Sequence, residues 1–243
     1  SDNKYVNFLK PMMSFKLSPS RSYGLKESSN KINIDNAFSL NRIMNNTTIE
    51  EGASLTYGTE FTKTNKVNKR AFSAKIANIF RLDESENLPK NNQLGEKTSN
   101  IFGSFDYDAN ENFRASYDYA LDSNLADTRF QSLSTEFKIN NFVTSFEYLN
   151  ENNISGNSSF LSNKTSYNID NSNSLSFETR ENKKTQLTEF YNLVYQYRND
   201  CLIAAIEYNK DYYSDRDLKP SEDIFFKLTI VPFGQTKSSG YSR

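Results

Sequence analysis

The 243 residues carry 29 Lys and Arg against 30 Asp and Glu, no His, no Trp and one Cys. Without His there is no imidazole for Ser-His-Asp or Cys-His catalysis or for a histidine zinc site. One Cys cannot close a disulfide within the chain, and a net charge of -1 supplies no basic excess to hold nucleic acid.

At 36% hydrophobic residues, with Asn and Ser each about as common as Lys and Arg together, the composition resembles that of a disordered chain. The 15 Tyr and 19 Phe contradict that reading, because disordered segments are poor in aromatics. Residue order must decide. No stretch approaches 18 consecutive apolar residues, so a transmembrane helix is not expected. The opening Ser1-Asp2-Asn3-Lys4 suggests either a removed leader or a piece of a longer chain.

Taken in chain order, the informative signal is period two. Weak strand windows span Met12–Leu17, Leu55–Phe61 and Phe72–Phe80. Ile101, Gly103, Phe105 and Tyr107 then alternate with Phe102, Ser104 and Asp106, and Phe113, Ala115, Tyr117, Tyr119 and Leu121 with Arg114, Ser116, Asp118 and Ala120. The same holds for Leu133–Ile139 and Phe142–Tyr148. Weaker windows follow at Phe160–Ile169, Leu175–Thr179 and Leu187–Tyr197. Clear alternation returns at Leu202–Asn209 and Ile224–Val231. Side chains alternate faces only in extended chain, so these are strands, about a dozen of them.

Tight connections are expected at Asp108–Glu111, Asn140-Asn141, Asp170–Ser172 and Asn199-Asp200. Longer ones are expected at Ser20–Glu51, Leu82–Lys97, Glu151–Asn157 and Tyr213–Ser221, with Asp122–Asn124 and Asn182–Lys184 as short exceptions on that side. Short turns on one side and longer loops on the other are the habit of outer-membrane barrels, and the count places both chain ends on the periplasmic side. A soluble β-sandwich would also alternate. Against it stand the long strands and the mid-strand charges Arg114, Asp118, Glu136, Lys138, Glu147, Glu207 and Lys227, which a wet lumen tolerates. Tyr107, Tyr119, Tyr148, Tyr197 and Tyr208 end the apolar faces as an aromatic girdle would. The expected fold is all-β: an antiparallel transmembrane barrel segment over residues 1–233, followed by a polar tail over 234–243.

Chemistry-bearing motifs are sparse. Asp106-x-Asp108-x-Asn110 opens like a calcium loop but lacks the Gly and the closing Glu, and reads better as a strand entering a hairpin. Arg81-Leu82-Asp83-Glu84-Ser85-Glu86 reads as a solvated acidic loop, with divalent-cation contact as the sharper alternative. Asp118, Glu136 and Glu147 could pair for acid–base work if adjacent strands brought them together. Neither catalysis nor a cofactor nor a metal is expected. Cys201 opens a strand after a tight turn; it is either a small buried residue or, in an oxidising periplasm, a thiol bonded to something outside this chain.

Several segments resemble the LptD (OstA/Imp) family of lipopolysaccharide-assembly outer-membrane proteins. Leu187–Cys201 runs strand, tight turn, Cys and next strand. Arg216–Pro220 leads into Phe225–Ile230 like the family's last loop and strand. Upstream, Ala37–Arg42, Glu51–Gly58, Phe80-Arg81-Leu82 and Ser99–Tyr107 look like its loop-then-strand signature. The resemblance implies a translocon that passes lipopolysaccharide to the outer leaflet of a Gram-negative outer membrane. It implies an LptE-type lipoprotein in the lumen, and periplasmic bridge proteins reached through an N-terminal jellyroll that this chain lacks. It implies that Cys201 is bonded to that absent domain. It also implies a lateral seam whose later side is the strand bearing Ile224, Phe226, Leu228 and Ile230, weakened where Pro232 ends it. The chain would be the C-terminal part of a larger barrel. The alternative is a generic porin-like outer-membrane barrel.

Overall fold

The computed structural model describes residues 4–19, 21–22, 25, 32–43, 49–67, 71–89, 93–153, 156–212 and 220–230. Twelve strands account for most of them: β1 (Tyr5–Ser18), β2 (Gly52–Asn65), β3 (Ala71–Arg81), β4 (Ile101–Asn110), β5 (Phe113–Leu121), β6 (Thr128–Ile139), β7 (Phe142–Asn153), β8 (Gly156–Asn168), β9 (Asn173–Asn182), β10 (Leu187–Arg198), β11 (Leu202–Asp211) and β12 (Ser221–Ile230). Hydrogen-bonded neighbours follow chain order from β1 to β12 in one antiparallel sheet. The strands run 9 to 14 residues, long against the usual 5–6.

Each expected window coincides with an observed strand, but β2, β6, β7, β8, β9 and β12 begin or end two to five residues beyond theirs. Two further differences have a physical reason. β1 starts at Tyr5, seven residues before the expected window, and carries Pro11 in its interior. Proline has no N–H for the ladder, and β1 tolerates it because it stands at one end of the strand order and pairs with β2 alone. The longer connection expected at Glu151–Asn157 is only two residues, because the polar stretch continues both strands.

Asparagine-rich turns explain the composition. Asn140 takes a positive φ of 51° in the two-residue turn between β6 and β7. Asn110, Asp170, Asn182 and Asn199 each accept backbone N–H groups two or three residues ahead, at 2.7–3.3 Å. These side chains close hairpins by mimicking a backbone turn. Asp106 and Asp108 lie on β4 as it enters such a hairpin.

The chain divides into two compact units, residues 1–137 with 146–160, and residues 138–145 with 161–243. In the first, one face carries Lys16, Ser54, Thr56, Arg81, Ile79, Phe102, Ser104, Asp118 and Glu136 in register, and the other carries Phe15, Leu55, Phe80, Phe105, Tyr117 and Phe137. The apolar face is open: Met13, Phe15 and Leu17 are 78, 64 and 70% exposed. Its aromatics stack on each other, Phe105 on Tyr117 and Tyr119, and Phe113 on Phe137 with ring centres 4.8 Å apart. The one buried cluster among the described residues sits on the polar face instead. Leu25, Ile32, Ile34, Ala37 and Ile43 of the β1–β2 connection and Leu88 and Leu94 of the β3–β4 connection pack over Ala77, Ile79, Phe102 and Ala120. A soluble sandwich would bury its apolar face; here none of the described residues packs over that face.

In the second unit β9–β12 alternate likewise. Leu193, Tyr195 and Tyr197 stand opposite Tyr208, Ile206 and Ala204, which stand opposite Ile224, Phe226 and Leu228. The polar face pairs Glu207 with Lys227, and Asn192 donates to Glu207 at 2.9 Å.

Candidate functional site

The long connections are fastened to the polar face by a buried ionic clamp. Glu50, two residues before β2, is its centre. Arg42 holds the carboxylate in a fork, Nε to Oε2 at 2.7 Å and Nη2 to Oε1 at 3.0 Å. Arg81, the last residue of β3, donates Nη1 to Oε1 at 2.7 Å, and Lys16 of β1 donates Nζ to Oε2 at 3.1 Å. The Glu50 and Arg42 side chains are 1% exposed and Arg81 2%. Both guanidinium groups make further bonds: Arg42 reaches Thr56 Oγ1 at 2.8 Å and Ser54 Oγ, and Arg81 reaches the Glu51 and Asp83 carbonyls. Bidentate charge-assisted bonds of this kind are the strong class.

Local sequence sets the geometry. Asn33 and Asn36 cap each other's backbone, and the Asn33 carbonyl accepts the Ala37 N–H at 3.0 Å, which starts the run of turns that delivers Arg42. Gly52 has a φ of +79°, and a Cβ there would lie 2.7 Å from Arg81 Nη2, so only glycine lets the Arg81 guanidinium reach the Glu51 carbonyl. The Glu51 carboxylate receives the Ser22 N–H at 2.6 Å, the Ser85 hydroxyl and Asn87 Nδ2 at 3.2 Å, tying the β3–β4 connection to the β1–β2 connection. Gln93 extends the chain of ties: its amide donates to Asp122 Oδ1 at 3.2 Å and accepts the Ser123 N–H at 3.0 Å. Arg129 Nη2 closes on Asp122 Oδ2 at 2.7 Å.

Burial pushes the Glu50 carboxyl up, but Arg42 and Lys16 outweigh it and hold the group below its ordinary value. Glu51 is likewise lowered, burial being overcome by the Ser85, Ser22 and Asn87 donors. Asp122 is lowered chiefly by the Arg129 bond.

The residues singled out in the sequence fare unevenly. Arg81 heads the acidic run read as solvated; Leu82, Asp83 and Glu84 are near the surface, but Arg81 is locked inside the clamp because Glu50 compensates its charge. Asp118 and Glu136 share a face yet do not meet: Asp118 stands between Ser104 and Ser132, and Glu136 opposite Arg114. Cys201 lies in the turn before β11, half-buried, its N–H donating to Asn199 Oδ1 at 3.0 Å. Ile224, Phe226, Leu228 and Ile230 project from the apolar face of β12, 62 to 79% exposed. Pro232, Arg216 and the tail at 234–243 lie outside the described residues. Lys16, Glu50, Gln93 and Asp122 were not singled out as site residues, since each becomes informative only once distant loops meet.

Three segments of the family resemblance, Ala37–Arg42, Glu51–Gly58 and Phe80-Arg81-Leu82, converge on this clamp. A family model described as LptD, LPS transport system D, matches residues 1–172, more than two thirds of the chain and the whole of the clamp. The chain belongs to the LptD family. It is therefore a member of an outer-membrane β-barrel family that transports and assembles lipopolysaccharide, which is not a family of enzymes. The LptD match ends before β9, so Cys201 and β12 lie beyond it. No curated protein matches the chain.

Proposed function

We propose that this chain forms the later wall of the lipopolysaccharide translocon in the outer membrane of a Gram-negative cell. The observation that carries the reading is the two-faced wall. An apolar face without protein cover suits lipid. A polar face lined with Ser, Asn and paired charges suits a wet passage for a phosphorylated, sugar-bearing head group. The Glu50 clamp holds the β1–β2 and β3–β4 connections against that polar face at its outer end, where they narrow the passage without obstructing the wall itself. An LptE-type lipoprotein seated in the lumen, and periplasmic bridge proteins acting through a domain upstream, complete the path.

In this reading β12 is the later side of a lateral seam. Ile224, Phe226, Leu228 and Ile230 face the bilayer, and Pro232 withholds a donor just past the strand. A closing pair of strands with few hydrogen bonds parts at low cost, which lets a lipid leave sideways. The test is a cysteine crosslink between Ile230→Cys and the first barrel strand of the full-length protein. The reading expects export of lipopolysaccharide to stop in the crosslinked state and to resume on reduction. Unimpaired export with the crosslink in place rejects the seam.

A further inference from the structure

The apolar face of the first unit is not a plain wall. A groove of about 820 Å³ runs along it, framed by Met13 of β1, Tyr57 of β2, Ile76 of β3 and Ile101 of β4. Its size lies within the roughly 300–1,000 Å³ of small-molecule sites. The groove lies where, beyond Ala77 and Phe102, the regular β3–β4 ladder stops. There Asn78 turns its amide onto the Ser99 and Asn100 carbonyls at 2.9 and 3.2 Å, and Tyr57 donates to Asn78 Oδ1 at 3.1 Å. The Asn78 amide and the Ser99 and Asn100 carbonyls are thereby paired, and the slot is walled by Met13, Ile76 and Ile101, with Thr98 and Ser123 at its outer end.

We propose that this groove holds one acyl chain of a lipopolysaccharide molecule in the outer leaflet. The inference rests on the translocon reading, which places the ends bearing Thr98 and Ser123 at the outer surface. The groove is continuous with the exposed apolar belt of Met13, Phe15 and Leu17, so its occupant comes from the bilayer. An apolar slot ending in hydroxyls matches a lipid tail below a polar head. Because bilayer tails are as apolar as the groove, the preference arises from shape: a fixed slot gains dispersion contacts on several sides that a flat wall does not offer. The site would retain a newly delivered lipid beside the protein.

A photoreactive benzoylphenylalanine placed at Ile76 in the full-length protein within its complex tests this, with Leu133 on the same face outside the groove and Ser116 on the polar face as references. After irradiation in cells, adducts are probed for lipopolysaccharide and their lipid is identified by mass. The expected result is a lipopolysaccharide adduct at Ile76 several-fold above Leu133, reduced several-fold by Met13→Trp, an exposed substitution whose folding is verified by heat-modifiable gel mobility. Equal yields at Ile76 and Leu133, or phospholipid in the Ile76 adduct, overturn the proposal. An adduct at Ser116 with none in excess at Ile76 would leave the translocon reading standing and remove the groove; no lipopolysaccharide at Ser116 counts against the reading itself.

Discussion

Arg81 and Glu50, 31 residues apart, form a 2.7 Å ion pair with both side chains buried, and this pair joins the end of β3 to the connection that precedes β2. Breaking a buried pair by removing one partner leaves a charge without compensation, at a cost of about 3–5 kcal/mol. Here Glu50 is shared by three cations, so its loss strands more than one. Glu50→Gln, which keeps the shape, should release the β1–β2 connection. Limited trypsin digestion of the folded protein in detergent reads this directly. Cleavage after Arg42 and Arg81 should be slow in the parent and fast in the variant. Equal resistance would mean that the clamp does not hold the connection.

The same carboxylates set a pH dependence. Glu50 and Glu51 titrate below their ordinary values in the folded protein, so they bind protons less readily there than when released. Their stabilisation is complete above the ordinary glutamate range and is lost as pH falls through the depressed folded values. Hydrogen exchange of residues 32–43, corrected for intrinsic rates, should therefore accelerate only under distinctly acid conditions. Acceleration on raising pH through neutrality would contradict the assignment.

Two glycines make a graded prediction. Gly52→Ala places a side chain at positive φ and against Arg81, and should cost about 1–3 kcal/mol. Gly103→Ala meets only the far end of the Tyr119 ring, which can swing aside. Thermal unfolding should show the larger loss for Gly52→Ala, and the reverse order would show that Arg81 yields more readily than Tyr119.

Cys201 is half-buried in its turn. If it bonds to a domain upstream in the full-length protein, Cys201→Ser should abolish a mobility difference between reduced and non-reduced gels. The same mobility difference in parent and variant would assign the bond elsewhere.

The wall was legible in the sequence because alternation is a local property: Phe113–Leu121 shows its two faces without reference to any other strand. Turn chemistry was legible for the same reason, as Asn199 bonds the backbone two and three residues on. The clamp was not. Glu50, Arg42, Arg81 and Lys16 come from four segments, and each alone reads as an ordinary surface charge; only the fold of the β1–β2 connection onto the sheet buries them together. The groove was hidden likewise, since Asn78 matters through its neighbours on adjoining segments. The family resemblance bridged part of that gap, because the segments that carry it around residues 37–42, 51–58 and 80–82 are those that meet at the clamp.

The most direct test of the account is the rate at which newly made lipopolysaccharide becomes accessible at the cell surface when the full-length protein is depleted. If the chain is part of the translocon wall, surface arrival stops while unrelated barrel proteins continue to reach the outer membrane. Undiminished arrival of lipopolysaccharide would contradict it.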